Sequence, residues 1–164
     1  MREVEFVPFR LTEVAEIFSI RIDGNETTEL HRFLHAYMGV ENDSMKHDFQ
    51  QILQTLAGVS RYGVRESFFR PEGKMTDRIC AIPLFASCGK LKDNGTLRLY
   101  CIRISDRLLI VGGGGVKVTK TYQEDECLAG YVQTLQRIDK ELSVIESEGK
   151  DIEGIIYNIK LYID

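Results

Sequence analysis

Nowhere does this chain approach the ~18 consecutive apolar residues that a membrane-spanning helix needs. Its opening residues, MREVEFVPFRLTEV, are broken up by charge and hold no apolar signal region. A cytoplasmic protein with no membrane partner is therefore expected. The four cysteines, Cys80, Cys88, Cys101 and Cys127, form no Cys-x-x-Cys pair and read as reduced structural thiols. Histidine is scarce. His31 and His35 stand four apart, but no third ligand at metal-site spacing accompanies them and no His-Glu-x-x-His occurs. With His47 also in the helical region, no imidazole is left for acid–base work in the basic segment described below. The Gly-x-Ser-x-Gly elbow, the phosphate-loop fingerprint, a G-x-G-x-x-G in a βαβ setting and a metal-carboxylate pattern are all missing. Neither a metal nor a cofactor is expected.

The 164 residues suit one domain, taken as 1–164 with a core over 14–146 and an appended tail over 147–164. Net charge is −4, which by itself argues against a nucleic-acid partner, but the charge is unevenly spread. Residues 1–60 carry a net −5, residues 61–122 a net +7 and residues 123–164 a net −6. A basic middle between acidic flanks either presents an anion-binding surface or pairs internally with the helices' carboxylates.

Periodicity predicts a strand over 14–23, then a helix over 29–38 capped by Thr27 or Thr28, with Leu30, Phe33, Leu34, Tyr37 and Met38 on one stripe. A second helix is expected over 44–57, capped by Ser44 and closed by Gly58. Strands follow at 78–85, 97–104 and 107–111, the last two flanking a hairpin at Ser105-Asp106. Thr121 and Glu124 form a capping box for a long closing helix, and residues 155–163 alternate like a trailing strand. The expected class is α+β: a helical hairpin and a C-terminal helix on a mostly antiparallel sheet, with an extra C-terminal strand.

Two features of the basic middle invite a function. Gly112, Gly113, Gly114 and Gly115 follow an apolar strand, where they form either a nest of free amides for an anion or a flexible turn. Around them lie Arg98, Arg103, Arg107, Lys117 and Lys120, with Lys90 and Lys92 on the preceding loop and Tyr100 and Tyr122 nearby. Cations interleaved with rings suit a phosphate backbone and an unpaired base; a solvated sheet face is the alternative. In an ideal strand Arg98 and Arg103 point to opposite sides.

The stretch LRLYCIRISDRLLIVGGGGVKVTKTY resembles the RelE/HigB family of bacterial toxins from type II toxin–antitoxin systems, through Leu97-Arg98, Ser105-Asp106, the apolar run 108–111, Gly115, Lys117 and Tyr122. The resemblance implies a RelE-like fold and a metal-independent endoribonuclease that cuts mRNA, often on the ribosome, by attack of the substrate's own 2′-hydroxyl. It implies Arg98 on the scissile phosphate, Lys117 or Lys120 stabilising developing charge or moving a proton, and Tyr122 stacking a base or orienting the hydroxyl. Lys90 and Lys92, with Arg103 and Arg107, would contact flanking RNA. An acidic antitoxin is the implied protein partner, and a homo-oligomer is left open. The chain is longer and more acidic than compact members of that family, so a non-catalytic protein-binding module on the same fold is the alternative.

Overall fold

The computed structural model describes residues 1–74, 76–84, 96–117 and 126–164. In chain order the elements are β1 (Arg2–Leu11), β2 (Glu16–Ile22), α1 (Glu29–Tyr37), α2 (Asp43–Tyr62), β3 (Arg70–Pro71), β4 (Ile79–Ile82), β5 (Thr96–Arg103), β6 (Leu108–Lys117), α3 (Glu126–Ser147), α4 (Ile152–Ile155) and β7 (Lys160–Ile163). A 3-10 turn at Glu66–Phe68 leads into β3. The strands make one open sheet in the order β3-β4-β5-β6-β2-β1-β7. Among the described residues every pairing is antiparallel except β2 with β6. The class is therefore α+β.

Helices cover both faces, which is why β5 and β6 read as nearly continuous apolar runs rather than alternating ones. On one face Leu30 and Phe33 of α1 and Ile52, Leu56 and Val59 of α2 pack on Ile17, Leu97, Leu99, Leu109 and Val111. On the other, Leu128, Val132, Leu135, Ile138 and Leu142 of α3 pack on Phe18, Ile20, Tyr100, Ile102 and Ile110. Each such buried side chain contributes roughly 1.5–3 kcal/mol of transfer free energy. The C-terminal residues extend this second layer. Ile152, Ile156, Leu161 and Ile163 join its core, β7 pairs with β1, and Tyr157 meets Phe18 edge-on at 5.2 Å.

Several sequence expectations are corrected. The N-terminal segment is strand β1, burying Val4 and Phe6. Its Pro8 sits beside a register shift, and β7 pairs only with residues 2–5, so the missing N–H takes no ladder bond from β7. The first helix is capped by the Thr28 side chain, but Asn42, not Ser44, caps α2. That helix runs through Gly58 and stops at Gly63, whose φ of 98° only glycine adopts freely. At Gly58 a Cβ would lie 3.5 Å from the Phe68 ring, an ordinary contact, so the helix passes through it without strain. The trailing strand is shorter than its alternation suggested, because α4 takes up Ile155, a turn follows over 156–158, and β7 begins only at Lys160. The four glycines form neither a turn nor a loop: all lie buried within β6. The proposed capping box at Thr121 and Glu124 falls outside the described residues.

Gly130 differs from those glycines. It sits within α3 with nothing within 4 Å of where a Cβ would be. Gly130→Ala is expected to stabilise the chain by about 0.5–1 kcal/mol through the lower backbone entropy of the unfolded state. A rise in the urea midpoint at constant m-value would show it.

Candidate functional site

The site begins where β2 and β6 part. Their parallel pairing ends at Ser19 and Val111, yet β6 continues to Lys117. Buried Ser19 closes this fork by donating to the Val111 carbonyl (3.1 Å) while accepting from the Leu30 N–H (3.1 Å). The first turn of α1 is thereby tied to the strand it leaves. Helix α1 then runs beside the rest of β6, which brings Glu29 to Gly113 and Tyr37 to Gly115.

The glycines permit three close approaches. A Cβ on Gly112 would lie 2.8 Å from Leu135 of α3, and one on Gly113 would lie 2.6 Å from the Tyr131 ring and 3.1 Å from Glu29 Oε2. A Cβ on Gly114 would overlap the Arg98 carbonyl oxygen on β5. The register shows the cause. Leu99 pairs with Gly114 and Cys101 with Val111, so Tyr100 stands opposite both Gly112 and Gly113 in a β-bulge. The run therefore serves packing and bulge formation within the strand.

Beyond the bulge, Arg98 pairs with Gly115 and Thr96 with Lys117, so Arg98 and Lys117 share the face that carries α3. Both are buried, with 5% and 8% exposure. Arg98 Nη1 donates to the Leu97 carbonyl at 3.1 Å; among the described residues its Nε finds no acceptor and no carboxylate lies within ion-pair distance. Burial, and next the positive charge of Arg70, pull its pKa below the ordinary guanidinium value. A buried cation lacking a counter-ion costs several kcal/mol unless an anion joins it. Arg70 and Glu72 flank it as a 3.6 Å ion pair, with the Glu72 side chain only 10% exposed.

Two phenols complete the surroundings. Burial raises the pKa of Tyr37 against a Val116 backbone hydrogen bond that lowers it. Burial and then the Glu29 charge raise that of Tyr131. Neither is an anion at neutral pH, so both can donate.

Of the residues singled out in the sequence, Arg98 and Lys117 come together. Arg103 and Arg107 do not join them. They stand at the hairpin end of the sheet, Arg103 about 17 Å along β5 from Arg98 at ~3.4 Å per residue. Arg103 Nε donates to the Val64 carbonyl at 2.9 Å and its Nη2 pairs with Asp106 at 2.7 Å, on the opposite face as its odd spacing requires. Lys90, Lys92, Lys120 and Tyr122 lie outside the described residues. Arg70 and Glu72 were missed because RPEG reads as a turn; the signal was a cation directly after the apolar pair Phe68-Phe69. Among the described residues no cluster of metal-ligating side chains occurs, and no helix is long and apolar enough to cross a membrane. No protein-family model matches the chain, and no curated protein or solved structure matches it significantly.

Proposed function

We propose that the Arg98–Lys117 end of the sheet binds the phosphate backbone of single-stranded RNA and cleaves it as a RelE-like, metal-independent endoribonuclease. The buried guanidinium of Arg98, with an Nε unused and no carboxylate partner among the described residues, carries this reading. The path of the chain supports it: strand β2, helical pair α1–α2, strands β4 to β6, closing helix α3, with β2 and β6 parallel. The resemblance in sequence falls on β5 and β6 of that path.

In this reaction the substrate's 2′-oxygen forms a bond to phosphorus while the bond from phosphorus to the 5′-oxygen breaks. The 2′-proton leaves to a base, and a proton reaches the departing 5′-oxygen. The products are a 2′,3′-cyclic phosphate and a 5′-hydroxyl. Arg98 serves the extra negative charge that develops on the phosphoryl oxygens, in a setting where little water screens it. Lys117, on the same face, adds a second positive charge. An acidic antitoxin partner and a ribosomal setting belong to the same proposal.

The alternative, a non-catalytic protein-binding module, makes no use of an unpaired buried cation. The acidic tail also packs at the other end of the sheet, where the Glu153 carboxylate accepts from Ser105 at 2.7 Å. The test is incubation of the purified chain with oligoribonucleotide, with and without ribosomes, in EDTA. Fragments with 5′-hydroxyl and cyclic phosphate ends are expected, and their loss in Arg98→Ala. Intact RNA in both settings, with unimpaired growth of cells expressing the chain, would remove the nuclease reading.

A further inference from the structure

The fork between β2 and β6 encloses a cavity of about 320 Å³, at the lower end of the roughly 300–1,000 Å³ usual for small-molecule sites. Ile20, Ile22, Leu135 and the bare backbone of Gly113 contribute its apolar lining, and Tyr131 an aromatic wall. Glu29, Arg2 and Arg32 supply its charge. The Glu29 side chain is 11% exposed, yet its carboxylate accepts no hydrogen bond among the described residues and meets only Arg32, at a loose 3.8 Å. An acceptor so sheltered and so little used among the described residues has capacity for a further donor. Arg2 Nη2 donates to Thr134 Oγ1 at 3.2 Å, and Arg32 is half exposed, which leaves guanidinium donors for an anion.

We propose that this cavity binds a guanine base carrying a phosphate, with Glu29 accepting from the base's N1–H and exocyclic amine and Arg2 and Arg32 holding the phosphate. A carboxylate has two acceptor oxygens and no proton to give. Guanine presents two adjacent N–H donors on its pairing edge. Adenine presents a donor beside the N1 lone pair, which the carboxylate repels, and uracil a single donor between two acceptors. A simple organic cation would satisfy Glu29 but would face two arginines. The Tyr131 ring supplies a surface of the kind on which unpaired bases stack.

The same ring links the cavity to the Arg98 face: it lies over Gly113 on one side and reaches within 4.0 Å of a Gly115 Cβ position on the other. As a subsite for substrate RNA the cavity rests on the cleavage proposed above; as a nucleotide pocket it does not.

The experiment is calorimetric titration of the full chain with GMP, AMP and guanosine, and with 2′-O-methyl oligoribonucleotides that contain or lack one guanine. GMP is expected to bind at least 10-fold more tightly than AMP, and guanosine more weakly than GMP. Glu29→Gln should weaken GMP by roughly 10- to 100-fold, the usual worth of a charge-assisted hydrogen-bond pair. Arg32→Gln should shrink the advantage of GMP over guanosine and leave the preference for guanine over adenine intact, a split that misfolding could not produce. Equal binding of GMP and AMP, undetectable GMP binding, or a Glu29→Gln chain that binds GMP as the wild type does, would overturn the assignment. Tighter binding of the guanine-containing oligonucleotide assigns the pocket to RNA; GMP selectivity without oligonucleotide discrimination assigns it to a free nucleotide. Arg98→Met should keep GMP binding while losing cleavage, so the two proposals fail separately.

Discussion

Arg98→Met is expected to give a protein that is more stable and inactive. The native side chain is a cation with 5% exposure that, among the described residues, has one bond to its own strand and an idle Nε. Replacing a buried, poorly compensated charge by an apolar side chain of similar length is worth about 1–4 kcal/mol of stability. For a chain of this size that raises Tm by roughly 2–4 °C per kcal/mol. RNA cleavage should fall by about 10²–10³-fold, the usual loss when one donor to a developing oxyanion is removed. Arg98→Lys should recover part of the activity, because it keeps the charge but not the planar fork of donors. Calorimetric melting and single-turnover cleavage on the same preparations read both effects. A lower Tm for Arg98→Met would mean that the guanidinium is a satisfied structural group, and the functional reading would lose its support.

The second large effect concerns a methyl group. Gly114→Ala should destabilise the chain by about 3 kcal/mol or more, at the upper end of what overpacking a tight core costs. Its Cβ would overlap the Arg98 carbonyl oxygen, and main chain held in a sheet cannot swing aside as a flexible side chain can. Neighbouring Gly115 gives the internal control. A Cβ there meets Leu128 and Tyr37 at 3.6 Å, an ordinary contact distance. Gly115→Ala should therefore cost far less, and urea unfolding of the pair measures the contrast. Equal midpoints would show that β5 and β6 are not so closely apposed at the bulge.

The glycine run also shows where sequence reasoning stops. Locally, four glycines read as a chain break, since each lacks a side chain to pack and gives up more entropy than any other residue. What keeps Gly112, Gly113 and Gly114 in β6 is held by distant residues: Leu135 and Tyr131 on α3, and the Arg98 carbonyl on β5. No window along the chain contains that information. Gly58 misleads differently: it reads as a helix stop, yet α2 runs on through it to Gly63. By contrast α1, with its Thr28 cap and its Leu30 and Phe33 stripe, is written in adjacent residues and forms where periodicity places it. Strand β1 was legible in the alternation of Val4 and Phe6, but Pro8 and the surrounding charges obscured it.

At the site, the composition of the basic middle pointed to Arg98 and Lys117, and strand parity put Arg103 on the other face. The burial of Arg98 could not be read, because it depends on helix α3 covering that face. Arg70 reaches the neighbourhood only through pairing of β3 with β4, and Glu29 reaches Gly113 only because β2 leaves β6 early.

The most direct test of the account is the nitrogen–proton resonance of Arg98 Nε during titration with an uncleavable 2′-O-methyl oligoribonucleotide. It should shift on binding and return as salt is raised, while Arg103 Nε, already bonded to the Val64 carbonyl, stays in place. A stationary Arg98 signal alongside a shifting Arg103 signal would place RNA at the hairpin end of the sheet and contradict the account.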